Sequence, residues 1–159
     1  MVMGTQSKGK YSALDIANYF LYKAQTATEE DQELISNLKL QKLVYYAQGL
    51  HLAVYNKPLF NEIIKAWQYG PVIPDLYHRY KKFGVNGIPA NKKFDYSIID
   101  KKTREFLDEI YEVFGQFSAV QLMKYAHSDR CWIDAGVGNE MTFKAMQSDL
   151  KKYLKNGKK

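Results

Sequence analysis

The sequence LKLQKLVYYAQGLHLAVY at residues 38–55 decides the fold of this chain. Its apolar residues recur at intervals of three and four, which is the spacing of one face of an α-helix. They are Leu40, Leu43, Val44, Ala47, Leu50 and Val54. Ser36 or Asn37 is placed to cap the start, and Pro58 stops the helix at about Tyr55 because proline disfavours a helical residue before it. This stripe is the longest in the chain, so we predict that it belongs to the central helix.

The sequence predicts further helices on both sides of the central one, each with a recognisable first residue. They begin at Ser12 or Ala13, at Pro74, at Asp100, at Ser118 and at Thr142. The first carries Asp15 three residues after Ser12, which resembles a capping box, and it is expected to end near Thr26. The helix from Pro74 is expected to run to Phe83.

One segment departs from the helical pattern because it is rich in β-forming residues. These are Ile63, Ile64, Trp67 and Tyr69. Gly70-Pro71 closes the segment as a turn, so we predict a short strand or extended stretch around residues 61–68. Residues 85–99 are predicted to form a loop, in which another short strand is an open alternative. The predicted fold is mainly α: a compact helical domain of about six helices with a short strand pair or extended segment after the central helix.

Length and composition indicate one domain. The chain has 159 residues, of which 46% are hydrophobic, and this is enough to bury a core. We divide it into a flexible leader at 1–10, a single domain at 11–155 and a basic tail at 156–159. Cys131 is the single cysteine, which excludes an intramolecular disulfide. The start has no signal-peptide pattern and no apolar run approaches the length of a membrane helix, so we expect a cytoplasmic protein without a membrane partner.

The net charge of +6 raises the question of nucleic acid binding. Much of the excess lies at the two ends, in Lys8, Lys10 and the tail KKYLKNGKK, where solvated termini are the simpler interpretation. Arginines are few for base readout, and no helix pair shows a helix-turn-helix pattern. We therefore do not expect nucleic acid as the partner. The acidic run Glu29–Glu33 is interpreted as a solvated loop or as a contact site for a basic partner.

His127 and Cys131 are four residues apart, which puts them on one face if a single helix carries both. A thiolate beside an imidazole is a usable nucleophile. The one nearby orienting group, Asp129, faces elsewhere on such a helix, so a capping histidine and a small buried cysteine are the simpler interpretation. His51 and His78 lie in other predicted elements, which leaves no local metal motif. We expect neither enzyme activity nor a metal or cofactor.

Three stretches carry a resemblance to a known family. They read LKLQKLVYYAQGLHL at 38–52, LFNEIIKAWQYGPVIPDLY at 59–77 and AHSDRCW at 126–132. The chain resembles the Panacea domain, also called the SocA-like antitoxin domain, of bacteria and their phages, from about Tyr11 to Leu154. The family usually has threonine before the histidine and proline before the tryptophan of the third stretch. Ala126 and Cys131 stand there in this chain, which argues against a family-wide catalytic role for Cys131.

The family pattern marks a set of residues as structural or partner-binding. They are Lys39, Leu40, Gln41, Lys42, Leu43, Tyr45, Tyr46, Gln48, Trp67, Gly70, Pro71, Pro74, Tyr77, His127 and Trp132. Most are expected to be architecture, with Trp67 as a large core anchor and Gly70 at a backbone angle that other residues resist. Tyr45, Gln48 and His51 are expected either to line a polar groove or to form a satisfied core edge.

The resemblance implies an antitoxin of a bacterial or phage toxin–antitoxin system, which neutralises a cognate protein toxin by direct binding. Two alternatives remain open. The first is a proteolytic adaptor that delivers its toxin to a protease, and the second is a phage-associated accessory or DNA-binding protein. Exposed tyrosines and the acidic run Glu29–Glu33 are the candidate contact residues.

Overall fold

The structure, a computed structural model, describes residues 8–27 and 33–154. Within these ranges the helices are α1 (Ala13–Gln25), α2 (Asn37–Tyr55), α3 (Pro74–Tyr80), α4 (Lys101–Phe114), α5 (Ala119–His127), α6 (Arg130–Ala135) and α7 (Phe143–Leu150). The strands are β1 (Ile35–Ser36), β2 (Ile64–Trp67), β3 (Gly70–Val72), β4 (Gly87–Ile88) and β5 (Glu140–Met141). Short 3₁₀ helices cover Lys81–Phe83, Tyr96–Ile98 and Lys151–Leu154. The prediction of a mainly α fold is confirmed.

Helix α2 is the central element of the domain, as predicted. The Ser36 hydroxyl accepts a hydrogen bond from the Lys39 backbone N–H and caps its start. Asn56 ends the helix in the left-handed conformation, with a φ of 60°. Helices α1, α3, α4, α5 and α7 and strand β3 all pack on α2. Because other elements surround α2, it buries polar side chains as well as its apolar stripe. The helix is therefore not a surface helix with one apolar and one solvent-exposed face.

Side-chain caps fix the starts of most other helices. In α1 the Ser12 hydroxyl accepts from the Asp15 N–H, and the Asp15 carboxylate accepts from the Ser12 N–H, each over 3.0 Å. This is the capping box that the sequence predicts. Asp100, Ser118 and Thr142 accept from backbone N–H groups at the starts of α4, α5 and α7 in the same manner. These caps satisfy backbone donors that a helix start otherwise leaves without partners.

The strands form two small antiparallel sheets. Strands β2 and β3 make a hairpin in which Trp67 pairs with Gly70, and β5 joins the other edge of β2. Strand β1 pairs with β4, with Ile35 opposite Ile88. The extended stretch predicted at 61–68 contains β2, and the open alternative of a strand in residues 85–99 is β4. The turn lies at Gln68 and Tyr69, so the prediction of a turn at Gly70-Pro71 is wrong, because these residues pair with β2 as part of β3. The sequence did not predict β1 and β5, because a strand of two residues is too short to show alternation.

Three predicted helices differ from the observed ones at their ends. The helix from Pro74 is α-helical only to Tyr80 and continues to Phe83 as a 3₁₀ turn. The helix from Ser118 stops at His127, and a separate helix, α6, follows it. The last helix stops at Leu150 and tightens into a 3₁₀ turn. The described residues consequently hold seven α-helices instead of about six.

The described residues at the N-terminal end lie against the domain. The Gly9 N–H donates to the Asn61 side chain over 2.8 Å, and the Tyr11 N–H donates to the Leu59 carbonyl oxygen over 2.9 Å. The proposed boundaries of the domain at residues 11 and 155 stay predictions. The tail at 156–159 and all of the acidic run except Glu33 lie outside the described residues.

Candidate functional site

Lys42 joins the central helix to the hairpin of β2 and β3. Its side chain is fully buried, and its Nζ donates to the Pro71 carbonyl oxygen over 3.2 Å. Burial lowers the pKa of Lys42 to about 7, because a charged ammonium loses hydration there. Gly70 lies beside the same side chain with a φ of +105°, and a Cβ at Gly70 would lie 2.7 Å from Lys42 Cε. Two of the three family stretches thus meet at one contact.

Gln41, the residue before Lys42, connects the same two stretches through a different contact. Its Nε2 donates to Asn37 Oδ1 over 2.9 Å, and its Oε1 accepts from the Ile73 N–H over 2.9 Å. Asn37 in turn donates to the Tyr77 carbonyl oxygen over 3.2 Å. Ile73 precedes α3, and Pro74 is its first residue. The polar side chains of α2 therefore position the start of α3 after the hairpin.

Gln48 and Lys39 also form hydrogen bonds from α2 to the backbone of other segments. The Gln48 amide is fully buried; it accepts from the Leu59 N–H and donates to the Phe60 carbonyl oxygen, each over 2.7 Å. Lys39 Nζ donates to the Gly115 carbonyl oxygen over 2.7 Å, and burial lowers the pKa of Lys39. Leu40 and Leu43 lie in the hydrophobic core. The polar family residues of α2 therefore bind the backbone of the segments that surround the helix, and the apolar ones pack in the core.

Tyr45 and Tyr46 donate to one buried carboxylate, that of Asp129. The distances from their hydroxyls to Asp129 Oδ2 are 2.8 and 2.9 Å. Tyr153 donates to Asp129 Oδ1 over 2.6 Å, and Lys152 Nζ lies 2.9 Å from the same oxygen. Burial raises the pKa of all three tyrosines, so their hydroxyls remain donors. The next cause is the charge of Asp129 for Tyr45 and Tyr46, and the hydrogen bond to Asp129 for Tyr153.

Sequence reasoning missed the role of Asp129. It assumed a continuous helix, on which this side chain faces elsewhere. The structure places Asp129 between α5 and α6, where its carboxylate is fully buried and its carbonyl oxygen accepts from the Trp132 and Ile133 N–H groups. The signal for it was its position inside the AHSDRCW stretch, together with two adjacent tyrosines on α2 that need acceptors.

His127 and Trp132 hold the turn of the β2–β3 hairpin. The Trp132 indole donates to the Trp67 carbonyl oxygen over 3.0 Å, and His127 Nε2 lies 2.8 Å from the Gln68 carbonyl oxygen. Trp67 itself is half-buried and packs edge-on against Tyr77, so it is not the core anchor that the sequence suggested. The third family stretch therefore also holds the second in place, through the backbone carbonyl oxygens of Trp67 and Gln68.

Cys131 does not form a nucleophilic pair with His127. Helix α5 ends at His127, and Cys131 lies in the next helix, with its sulfur 3.2 Å from the Tyr45 hydroxyl. The cysteine is 3% exposed, and burial raises its pKa to about 12. At neutral pH the sulfur is therefore a thiol, which is a poor nucleophile.

Tyr45, Gln48 and His51 do not line one groove. Tyr45 and Gln48 have satisfied polar atoms, as in the alternative of a satisfied core edge, but they are fully buried and therefore lie inside the core. His51 alone lines a cavity of about 430 Å³, whose rim includes Lys8, Lys10, Lys57 and Lys102. Across residues 8–27 and 33–154, no three or more His, Cys, Asp or Glu side chains are grouped so that they could hold a metal ion.

These contacts define a class of protein: a small helical domain in which buried polar side chains hold a β-hairpin against a central helix. The contacts are those of Lys42 with Gly70 and Pro71, of Gln41 with Ile73, and of His127 and Trp132 with the hairpin turn. A family model described as "Antitoxin SocA-like, Panacea domain" matches residues 40–133. This range contains all of the contacts of the candidate site except those of Asn37 and Lys39 and those that Lys152 and Tyr153 make with Asp129. The chain belongs to this SocA-like antitoxin family.

Antitoxin SocA of Caulobacter vibrioides (strain NA1000 / CB15N) is one relative. It is 31% identical to this chain over 135 residues, which cover 78% of this chain and 69% of that protein. No solved structure matches the chain significantly. Among the helices of residues 8–27 and 33–154, none combines the length and the hydrophobicity needed to cross a bilayer.

Proposed function

We propose that this chain is an antitoxin that neutralises a cognate protein toxin by binding it directly. The observation that carries the proposal is the likeness to antitoxin SocA, which extends over 69% of that protein. Family membership supports an antitoxin role, and direct binding is the mechanism proposed here.

The arrangement of polar side chains supports binding over catalysis. In the part of the chain that the structure describes, no buried side-chain nitrogen or oxygen lacks a hydrogen-bond partner. The family residues with the strongest pKa shifts, Lys42, Tyr45 and Tyr46, are buried and engaged with the domain itself. An active site usually presents perturbed groups that converge on an accessible cavity. In this chain Lys42, Tyr45 and Tyr46 instead form hydrogen bonds inside the domain and stabilise its fold.

The proposed mechanism is steric. A rigid domain covers the toxin's active site or holds the toxin in an inactive form, across an interface of about 1,600 Å² with aromatic anchors. Exposed aromatic side chains are the candidates for such anchors, and Tyr69, at the turn of the hairpin, is one of them with 59% exposure. Steric neutralisation of this kind does not depend on which reaction the toxin catalyses.

A growth test examines the proposal. The reading frame beside this gene is expressed alone and then together with the chain. We expect growth arrest in the first case, recovery in the second, and a stable complex of the two purified proteins. A harmless neighbour, or a toxic one that is not rescued, would contradict the proposal. Toxin half-life with and without the chain separates direct neutralisation, where it is unchanged or longer, from delivery to a protease, where it shortens.

A further inference from the structure

A wide groove lies between the C-terminal half of α2 and helix α4, and we call it the α2–α4 groove. Its volume is about 990 Å³. Apolar and aromatic side chains make up most of its lining. They include Val54 of α2, Phe106 and Val113 of α4, Phe117, and Tyr125 of α5. The groove shares Tyr55, Lys102 and Phe106 with the lysine-rimmed cavity beside His51.

The groove keeps large apolar side chains in contact with water. Val54 is 46% exposed, Val113 is 51% exposed and Tyr125 is 43% exposed. Phe117 and Tyr125 meet edge-on at 5.0 Å between ring centroids and form one wall. Exposed apolar side chains that share one concave surface are typical of interaction sites. Exposed tyrosines are the kind of contact residue that the sequence predicts, and the structure shows that Tyr125 is one of them.

Two carboxylates on the groove lack partners within the described residues. Glu105 and Glu109 are one turn apart on α4, both line the groove and both are exposed. Neither takes part in an ion pair or hydrogen bond with any residue of 8–27 or 33–154. Among the described residues of the lining, the one cation is Lys102, and it lies over the Tyr55 ring at 5.1 Å. An apolar groove with unpaired carboxylates on one side is complementary to an apolar segment that carries positive charge.

The lining also indicates the backbone conformation of the occupant. The lining residues of the groove belong to helices and the segments between them, and no strand edge is among them. An extended segment would bury backbone N–H and C=O groups here without partners. A helix brings those groups already satisfied and places its side-chain ridges between those of α2 and α4.

We propose that the α2–α4 groove is the surface that holds the toxin, and that its occupant is an amphipathic α-helix of the toxin with Lys or Arg beside Glu105 and Glu109. The apolar face of this helix packs between Val54, Val113 and Tyr125, in the helix-in-groove mode of recognition. This inference rests on the proposed antitoxin function and names the chemistry of the partner.

Matched substitutions test the groove in the growth assay. Val113→Glu places a charge inside the groove, whereas Val120→Glu places the same charge at a valine of equal exposure, 52%, that does not line it. Both variants are first checked for wild-type circular dichroism. We expect Val113→Glu to weaken toxin binding by at least about tenfold and to lose rescue, and Val120→Glu to retain both.

A charge exchange tests the partner's sign. Glu105→Lys with Glu109→Lys is expected to weaken toxin binding by at least about tenfold. Glu112→Lys, on the same helix but outside the lining, is its control. A second probe needs no toxin: a synthetic Leu/Lys amphipathic helix and its Leu/Glu counterpart are titrated against the purified chain. We expect the lysine peptide to bind at least about tenfold more tightly, and the double lysine variant to reverse that order.

The outcomes separate this inference from the antitoxin function. If the wild-type chain rescues growth and Val113→Glu rescues as well as Val120→Glu does, the groove is not the toxin site, although the antitoxin function stands. If the wild-type chain does not restore growth, the proposed antitoxin function is contradicted. The proposal that a toxin helix occupies the groove is then contradicted too. Peptides that bind without regard to charge, or a groove that instead joins two copies of this chain, would overturn the proposed chemistry.

Discussion

Lys42 and Gly70 approach each other so closely that a side chain at position 70 would collide with the lysine side chain. A Cβ at Gly70 would lie 2.7 Å from Lys42 Cε and 3.5 Å from Lys42 Nζ. The φ of Gly70, +105°, lies in a region that side-chain-bearing residues rarely adopt. The KLQKL stretch and the WQYGPV stretch are therefore one structural unit, in which the lysine needs the glycine and the carbonyl oxygen after it.

We expect Gly70→Ala to lower the free energy of unfolding by about 2–4 kcal/mol, since backbone strain and the contact with Lys42 add together. Gly138→Ala is the matched control: its φ is +95°, and nothing lies within 4 Å of the added Cβ. It should cost only the strain, about 1 kcal/mol. Urea unfolding measures both. Equal losses would mean that the Lys42 side chain yields freely.

The buried amine of Lys42 should make stability depend on pH. The unfolded chain holds this proton up to a pKa near 10.5, whereas the folded chain releases it near 7. Between these values the unfolded state binds more protons, so the free energy of unfolding rises as pH increases. From pH 7 to 9 the rise should be at most about 2 kcal/mol.

Lys42→Met is the control for this pH dependence, because it keeps the length of the side chain and removes the proton. Urea unfolding at pH 7 and 8 should show a rise for the wild-type chain that the variant lacks. At pH 9 the unfolded chain also releases the Cys131 proton, which lowers the free energy of unfolding of both proteins alike. This range also stays below the pH at which the tyrosines with raised pKa, Tyr45 and Tyr46, would need to ionise. Parallel profiles for the two proteins would assign the dependence to other groups.

Cys131 should resist alkylation in the folded protein. With its pKa raised to about 12, the thiolate fraction at pH 8 is about a thousandfold smaller than that of an ordinary cysteine. Ser128→Cys supplies an exposed cysteine in the same molecule as an internal reference. Iodoacetamide labelling followed by peptide mass spectrometry should modify position 128 rapidly and Cys131 only after urea is added. Comparable labelling of both sites in the native protein would show that Cys131 is accessible.

The sequence predicts the features of this fold that depend on local chemistry. Ser12 with Asp15, Asp100, Ser118 and Thr142 cap helices because a short polar side chain before an apolar period satisfies free N–H groups. The central position of α2 follows from the length of its stripe. These signals act within a few residues of the chain, so one sequence is enough to find them.

Long-range contacts explain what the sequence did not predict. Lys42 resembles a surface residue in the sequence, but its partner at Pro71 is 29 residues away, and only the folded chain brings them together. Asp129 meets Tyr45 across 84 residues. Trp67 has the size of a core residue, yet the hairpin holds it at the surface, where its carbonyl oxygen, not its ring, binds Trp132. Strand β5 exists because β2 offers it an edge.

The two oxygens of the buried Asp129 carboxylate each accept two contacts. Tyr45 and Tyr46 donate to Oδ2, whereas Tyr153 and Lys152 contact Oδ1. In Asp129→Asn an NH₂ group replaces one oxygen and cannot accept, so donors on that side are left buried without an acceptor. We expect a loss of about 2–4 kcal/mol in the free energy of unfolding.

Asp134→Asn provides the comparison, because it removes an equal charge from an exposed ion pair with Arg130. Surface pairs of this kind contribute little, so its cost should stay below about 1 kcal/mol. Urea unfolding at pH 7 measures both variants, and near-ultraviolet circular dichroism reports the tyrosine environment. If Asp129→Asn were as mild as Asp134→Asn and left the tyrosine signal unchanged, the three hydroxyls would have other acceptors, and the carboxylate would not be what holds the 3₁₀ turn of Tyr153 against α2.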